Sequence, residues 1–166
     1  MEYADGGSLE NYLKNNFNRL EWVNKCLLAF QLTSAVSCLH GQGIVHSNLH
    51  SGNILIHQGS IKLADFGLSN GMKRPLNLIP YTDPKLFKLR NNETTSLDYK
   101  SDVYSVGVLL WEISSGRRPF YFEGIPYDMD LVIIIAKGLR ETIIPGTPEG
   151  YAKIYSGKYI NMNNMF

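Results

Sequence analysis

Two short segments carry polar side chains that could do chemistry. The first is His46–Leu55, which reads His-Ser-Asn-Leu-His-Ser-Gly-Asn-Ile-Leu. The second is Asp-Phe-Gly at residues 65–67, directly after the run Ile61–Ala64. Between them, His57–Ser60 has the composition of a hairpin turn. The spacing therefore predicts two polar loops joined by a hairpin.

Four side chains of the kinds that bind zinc lie near each other in the sequence: Cys38, His40, His46 and His50. Structural zinc sites usually take paired ligands at short spacing from one regular element. Here the pair with i,i+4 spacing is His46 and His50, and it falls in a predicted loop. The spacing does not favour zinc capture, so no site of this kind is predicted.

Two long helices are predicted around these loops. In Leu20–His40, apolar residues recur at steps of three and four and form one face. The segment Ser101–Ser115 is apolar nearly all round, typical of a buried central helix, so Leu109 and Trp111 are expected inside. Shorter helices are predicted from Ser8, as the cap, to about Lys14; over Met129–Lys137, with a strand as the alternative; and from Thr147-Pro148, with Thr147 as the cap.

Three further expectations concern packing. The runs Asn53–Ile56 and Ile61–Ala64 are predicted to be the strands of the hairpin. From Asp65 to about Leu97 the periodicity fails, which predicts a long functional loop rather than a packed element. A cluster near the start of the first long helix is predicted to be core; its members are Trp22, Val23, Cys26 and Leu27.

Composition narrows the function classes. The 16 Lys and Arg balance 15 Asp and Glu, which argues against a strongly basic surface for nucleic acid or an anionic membrane. The apolar stretches are too short to span a bilayer, and the first residues carry no secretory signal. Cys26 and Cys38 would lie about 18 Å apart on one helix, beyond disulfide reach. Free thiols fit a reducing setting, so a cytoplasmic protein is expected.

The sequence resembles the C-terminal lobe of the protein kinase family. His46–Asn53 resembles the catalytic loop H-R-D-x-x-x-x-N, and residues 65–67 match D-F-G without change. Met1–Ser8 resembles the hinge, and Ser101–Glu112 the central helix; the detail is most similar to the tyrosine-kinase-like serine/threonine group. The resemblance implies an α+β fold, mainly helical with a small β-hairpin and no N-lobe. It places a partial kinase domain at 1–160 and a frayed tail at 161–166.

The resemblance also implies site residues for phosphoryl transfer from ATP with Mg²⁺. Asp65 and Asn53 would hold the magnesium ions, since carboxylate and amide oxygens are hard ligands that suit this metal. The remaining nucleotide-binding positions are the backbones of Glu2 and Ala4 facing adenine, Leu55 as the pocket floor, and Ser8 near the ribose.

Several positions depart from the family pattern. Asn48 stands where the family has its catalytic Asp, and Ser47 where it has Arg. An amide cannot accept a proton as a carboxylate does, and loss of a positioned base costs about a hundred- to ten-thousand-fold in rate. Lys85 stands where the family has a Glu, and the Arg that usually pairs with that Glu has no counterpart in these 166 residues.

The resemblance begins at the hinge, and the 166 residues contain no G-x-G-x-x-G and no counterpart of the family's β3 lysine or C-helix glutamate. Half of the walls of the nucleotide site are therefore expected to be missing, together with the lysine that grips the phosphates. ATP and Mg²⁺ are consequently expected to bind weakly.

Three residues receive structural roles from the resemblance. Asp102, inside an apolar helix, is expected to accept hydrogen bonds from the backbone near His46 and Ser47. The alternative is a solvent-facing carboxylate near the helix start, where the dipole favours it. His46 is expected to pack beneath Phe66 as part of a hydrophobic spine and not to catalyse.

These residues leave three alternatives for the function of the chain. The first is a protein kinase that phosphorylates Ser, Thr or Tyr of a protein substrate in signalling, weak or inactive as written. The second is a non-catalytic pseudokinase module that binds protein partners. The third is a truncated kinase fragment. None of them predicts nucleic acid or a membrane as a partner.

Overall fold

The computed structural model describes residues 4–66, 75–88, 98–123 and 127–156. These residues form a mainly helical fold with one small antiparallel hairpin, which confirms the predicted α+β class. None of the helices described is long and apolar enough to cross a membrane. The elements in chain order are α1 (Leu9–Asn16), a 3₁₀ turn (Phe17–Arg19), α2 (Trp22–Gly41), β1 (Ile54–His57), β2 (Ser60–Leu63), a 3₁₀ helix (Leu76–Tyr81), α3 (Lys85–Lys88), α4 (Tyr99–Ser115), α5 (Met129–Ala136) and α6 (Glu149–Tyr155).

The hairpin pairs Ile54 with Leu63 and His57 with Ser60. Its turn is Gln58-Gly59, and both residues have positive φ, 49° and 72°. A two-residue turn with two positive φ values matches the right-handed twist of the flanking strands. The hairpin is confirmed, with each strand displaced by one residue from its expected range, because His57 and Ser60 pair as strand residues rather than lying in the turn.

Helix α4 is the central element of the fold, as predicted. Asp98 caps its first turn by accepting a 3.0 Å hydrogen bond from the Ser101 N–H, and Gly116 ends it with φ of 65°. Leu109 is fully buried and Trp111 is 5% exposed. The main core lies between α4, α2 and the hairpin, and includes Leu28, Leu32, Val36, Ile54, Ile56, Leu109 and Ile113.

The expected core cluster at the start of α2 is wrong for three of its four members; the fourth, Trp22, is half-buried and packs against the cluster of Ala29, Leu110 and Tyr151. Val23 is 69% exposed and Leu27 is 51% exposed, and Cys26 is an exposed free thiol. A helix that packs on one side buries residues three and four apart, and α2 uses the set containing Leu28 and Leu32 for this purpose. Val23, Cys26 and Leu27 therefore lie on the other side of the same helix.

The segment after the D-F-G motif is not the long unpacked loop that was expected. The 3₁₀ helix Leu76–Tyr81 and the short helix α3 occupy part of it, and Ile79, Pro80 and Tyr81 are buried. A single short 3₁₀ helix that contains a proline shows neither helical nor strand periodicity, which explains why the pattern failed. Residues 67–74 and 89–97 lie outside the described part.

The region 129–137 is a helix and not the alternative strand. Asp128 caps α5 by accepting hydrogen bonds from Asp130 N and Leu131 N. Leu131 and Ile135 are buried, whereas Ile133 and Ile134 between them are about half exposed, which is a helical pattern.

At α6 the expected cap is wrong. Pro148, rather than Thr147, is the N-cap residue, and its ψ of 135° is not helical, so the helix begins at Glu149. The domain end expected at residue 160 and the tail 161–166 lie outside the described residues.

Candidate functional site

Asp102 in the first turn of α4 anchors the loop at residues 46–48. The side chain is 1% exposed, and its two oxygens accept 2.8 Å hydrogen bonds from the backbone N–H groups of His46 and Ser47. These are the two bonds that the sequence analysis expects. The Nε2 atom of His40 lies 2.9 Å from the same carboxylate. The carboxyl group therefore has three polar partners, as a buried polar group requires.

His40 was missed as a member of this site, because the sequence analysis considered it as a zinc ligand alone. It lies in the last turn of α2, and its ring also packs against Tyr99, with 4.6 Å between ring centroids. Among the described residues, no group of three His, Cys, Asp or Glu side chains lies close enough to hold a metal. His40 could have been predicted as a partner of Asp102, because it lies in the last turn of α2, shortly before the loop that Asp102 was expected to anchor.

The anchored loop has a strained backbone at Ser47, whose φ is 67°. Residues other than glycine adopt such a conformation where the surroundings enforce it, often at functional sites. The next residue, Asn48, donates its N–H to Nδ1 of His46 at 3.4 Å, and its carbonyl oxygen accepts a 3.1 Å bond from the side chain of Asn53. The backbone of Asn48 is thus held from both sides.

Asn53 and Asp65 are connected through the backbone at the base of the hairpin. The Ala64 N–H donates a 2.9 Å bond to the Asn53 carbonyl, and Asp65 follows with φ of 57°. Asn53 is buried and Asp65 is exposed. Because the Asn53 amide nitrogen is used toward Asn48, its amide oxygen is the atom available to a cation. An amide oxygen and a carboxylate form a donor set that fits Mg²⁺, which takes one or two protein ligands and keeps several waters.

His46 lies inside the protein beside Phe66. Its side chain is fully buried, and the two rings meet edge to face with 6.1 Å between centroids. Burial lowers the pKa of His46, an effect that the nearby Asp102 carboxylate only partly offsets. The imidazole is therefore neutral at pH 7, which suits a packing role better than a charged one.

The segment that resembles the hinge pairs with β1. Gly6 donates its N–H to the Ile56 carbonyl at 2.9 Å, and the Ile56 N–H donates to Gly7 at 2.8 Å. Ser8 and Leu55 form an antiparallel bridge. A Cβ atom on Gly6 would lie 2.8 Å from two side-chain atoms of Ile56, so this close approach requires glycine.

Three of the four predicted nucleotide-binding residues are therefore adjacent. Ala4 accepts a 3.1 Å bond from the Gly7 N–H, in the same turn that brings Ser8 to Leu55. The Ser8 hydroxyl oxygen accepts a 3.3 Å bond from Asn11 N and caps α1, as predicted. Glu2, the fourth residue, lies outside the described part.

A buried hydrogen-bonded group behind the loop was missed. The Tyr81 hydroxyl donates a 2.7 Å bond to Oε2 of Glu112 and lies 3.0 Å from the hydroxyl of Ser51. Ser105 donates a 2.7 Å bond to the Tyr81 carbonyl. The group joins the 3₁₀ helix, α4 and the polar loop 46–53. Sequence analysis missed it because Tyr81 lies in the segment without periodicity.

Glu112 in this group is a buried acid without a cationic hydrogen-bond partner among the described residues. It is 2% exposed. Burial raises its pKa to about 7, although the hydrogen bonds from Tyr81 and Ser51 act in the opposite direction. Its protonation therefore changes within the physiological pH range.

The fold and the anchored loop define the class of the protein. The family model described as "Protein tyrosine and serine/threonine kinase" matches residues 1–149. The chain belongs to the protein kinase family.

Individual relatives agree with this assignment. A probable LIM domain-containing serine/threonine-protein kinase of Dictyostelium discoideum is 32% identical over 160 residues, which cover 92% of this chain and 23% of the relative. A probable serine/threonine-protein kinase of Clostridium perfringens is 28% identical over 151 residues, covering 87% of this chain and 21% of the relative. The chain thus spans less than a quarter of the length of these two kinases.

Proposed function

We propose that this chain is the part of a protein kinase domain that presents a protein hydroxyl group for phosphorylation, and that its own phosphotransfer is weak. The observation that carries the proposal is the anchoring of the loop by Asp102, whose carboxylate fixes the backbone of His46 and Ser47. The loop is held in place by these hydrogen bonds, yet Asn48 occupies the position at which the reaction needs a proton acceptor.

The residues around Asn48 support both parts of this proposal, the presentation of a substrate hydroxyl and the weak phosphotransfer. The Asn48 amide can accept a hydrogen bond from a substrate hydroxyl, but it cannot take the proton. Asn53 and Asp65 would hold Mg²⁺, which stabilises the charge on the transferred phosphoryl group when bound. The bond from Asn53 to the Asn48 carbonyl keeps the proposed metal ligand and the substrate position in one unit.

The same residues supply one wall of the proposed nucleotide site. Ala4, Ser8 and Leu55 would contact adenine and ribose from the side of β1. The 166 residues include no glycine-rich loop to cover the phosphates. We therefore expect this chain to bind Mg·ATP weakly, because its residues contact the nucleotide from one side of the proposed site.

Calorimetry with ATP and Mg²⁺ tests the nucleotide part of the proposal. The parent chain should bind weakly, and Asp65→Asn should remove the part of the binding that depends on Mg²⁺. Glu123→Gln is a control that alters an exposed carboxylate outside the site. Sub-micromolar affinity, or equal binding by the parent and Asp65→Asn, would contradict the proposal.

A non-catalytic module that binds proteins is the second candidate. The observation in its favour is that the loop is fully anchored although Asn48 lacks a carboxylate. One substitution, Asn48→Asp, distinguishes the two candidates once the nucleotide site has been completed by an N-terminal lobe. It should restore phosphotransfer if the chain is a weak kinase. It should not do so if the chain is a module that only binds proteins.

A further inference from the structure

The exposed side of helix α2 carries no charged residue. The helix runs from Trp22 to Gly41, and its inner side contributes Leu28 and Leu32 to the main core. Its exposed residues are Val23, Asn24, Cys26, Leu27, Phe30, Ser34, Cys38 and Gly41. A helix that faces water normally presents charged and polar residues on its outer side. The exposed side of α2 is instead typical of a surface that packs against another helix.

Residues on this side recur at the spacing of a contact between two helices. Val23, Leu27, Phe30, Ser34 and Ser37 follow one another at steps of four, three, four and three. A strict alternation of three and four places residues on one narrow stripe, as in paired helices. These five residues form the α2 stripe. Its large members are the exposed ones: Val23 is 69% exposed, Leu27 51% and Phe30 68%.

The α2 stripe has large side chains in its first half and small ones in its second. Phe30 and Ser34 are each two residues from Leu32, and Leu27 and Ser37 are each five residues from it. Two copies of α2 packed antiparallel, with a two-fold axis near Leu32, would therefore oppose each large side chain with a serine of the second copy. Such complementarity lets the side chains of one helix fill the gaps of the other. A parallel pair would oppose Phe30 with Phe30 and leave gaps at the serines.

The two cysteines follow the same symmetry. Cys26 and Cys38 are exposed free thiols, and each is six residues from Leu32. In the antiparallel pair, Cys26 of one copy would lie at the same height as Cys38 of the other. With helix axes about 8–10 Å apart, these thiols would be on the order of 10 Å apart, too far for a disulfide. Cys26 of one copy and Cys26 of the other would be roughly 18 Å apart along the helices.

Charge also favours the antiparallel arrangement. The positive N-terminal end of each α2 would lie beside the negative C-terminal end of the other. Arg19, three residues before α2, is exposed and forms no ion pair with another described residue. It would lie near the last carbonyl groups of the second copy's α2, where a cation is favourable. Lys25 is 8% exposed and lies against the Phe17 ring, so like charges do not meet at the stripe.

We propose that two copies of this chain associate through their α2 stripes as an antiparallel pair with two-fold symmetry. A 20-residue helix is about 30 Å long and about 10 Å wide, so two such helices bury less than the roughly 800 Å² per partner of a standard interface. The association is therefore weak, with dimers present at about 100 µM and monomers at about 1 µM. It does not depend on the proposed function.

Sedimentation velocity of the full chain between about 1 and about 100 µM tests the association. Phe30→Glu should weaken it by more than about tenfold, because each dimer would bury the new charge twice. Phe122→Glu is the matched control, since Phe122 is 54% exposed and lies outside α2. A parent chain that stays monomeric at the highest concentration would overturn the proposal, and so would equal weakening by the two variants.

Ser34→Phe tests the pairing of large with small side chains. The variant makes the surface of α2 more apolar and yet should weaken association, because two phenylalanine rings would meet where a ring and a serine fit. The double variant Phe30→Ser, Ser34→Phe should restore association, since each large side chain again faces a small one. Stronger association of Ser34→Phe than of the parent would mean general adhesion of an apolar surface and would overturn the proposal.

Cross-linking with a short bismaleimide tests the direction of the two helices. Each cross-link of the antiparallel pair uses one Cys26 and one Cys38, so the parent should give a covalent dimer on a denaturing gel. Cys26→Ser and Cys38→Ser should each abolish it. A covalent dimer that persists in either single variant would show contacts between identical cysteines and overturn the antiparallel pair. A parent that sediments as a dimer but gives no cross-link would overturn it too.

Discussion

The hydroxyl of Tyr81 donates a 2.7 Å hydrogen bond to the buried carboxylate of Glu112. This bond joins the segment after the D-F-G motif to the central helix α4, and Ser51 of the polar loop lies 3.0 Å from the same hydroxyl. Three parts of the site therefore meet at one buried acid.

The stability of the fold should depend on the ionisation of Glu112. Its pKa is raised to about 7, so the folded state holds this proton more tightly than the unfolded chain does. The free energy of unfolding contributed by this group is therefore present at low pH and is lost as pH rises toward about 7. The expected loss is on the order of 3 kcal/mol.

Urea denaturation of the parent and Glu112→Gln at about pH 5 and about pH 8 measures this effect. The difference between the two proteins isolates Glu112 from His46 and His50, whose pKa values are lowered by burial and which act in the opposite direction. The amide variant should gain stability relative to the parent at the higher pH. The same difference at both pH values would contradict the raised pKa.

Tyr81→Phe should destabilise the protein by about 1–3 kcal/mol, because it removes a donor from a buried carboxylate. It should also raise the pKa of Glu112 further and enlarge the pH dependence. Tyr121→Phe is the matched control, since Tyr121 is 56% exposed. Equal midpoints of urea unfolding for the two variants would show that the Tyr81 bond contributes nothing.

Asp102→Ala should release the polar loop. Two backbone N–H groups would lose their acceptor, at a cost of about 1–3 kcal/mol for each one that stays buried. Hydrogen exchange at the amides of residues 46 and 47 should become much faster, whereas exchange within α5 should not change. Asp130→Ala removes an exposed first-turn carboxylate of α5 and serves as the control. Unchanged exchange at both loop amides would contradict the anchoring.

Gly6→Ala should separate the segment at residues 4–8 from β1. The new Cβ would meet Ile56 side-chain atoms at 2.8 Å and its carbonyl oxygen at 2.9 Å, and such overpacking costs about 1–3 kcal/mol. Gly41→Ala is the control, because nothing lies within 4 Å of a Cβ at that position. Thermal unfolding should show a lower midpoint for Gly6→Ala alone. A midpoint equal to that of the parent would mean that the segment moves aside without cost.

Sequence analysis recovered the elements that have strong local signals. Helix α4 could be placed because it is apolar nearly all round, and the hairpin because Gln58-Gly59 is a turn pair between apolar runs. The bonds of Asp102 could be expected from the family resemblance, since a carboxylate in an apolar helix needs partners. These features depend on neighbours in sequence or on a motif.

The features that sequence analysis missed depend on contacts between distant segments. Tyr81 and Glu112 are 31 residues apart, and no periodic pattern connects them. The three-and-four spacing predicted one apolar face on α2, but Val23 and Leu27 lie outside that face and are apolar too, so residue type alone did not predict their exposure. The packing of α2 against α4 and the hairpin leaves both at the surface.

Asp102 anchors the loop, and we propose that phosphotransfer is limited because Asn48 has no carboxylate to accept the proton of the substrate hydroxyl. The most direct measurement is transfer of radiolabelled phosphate to a protein substrate, after a complete N-terminal kinase lobe has been fused before Met1. Asn48→Asp should raise the rate by about two orders of magnitude, the usual scale for a positioned base, and Ser47→Arg should raise it less. Equal rates for the fused parent and Asn48→Asp would contradict the claim.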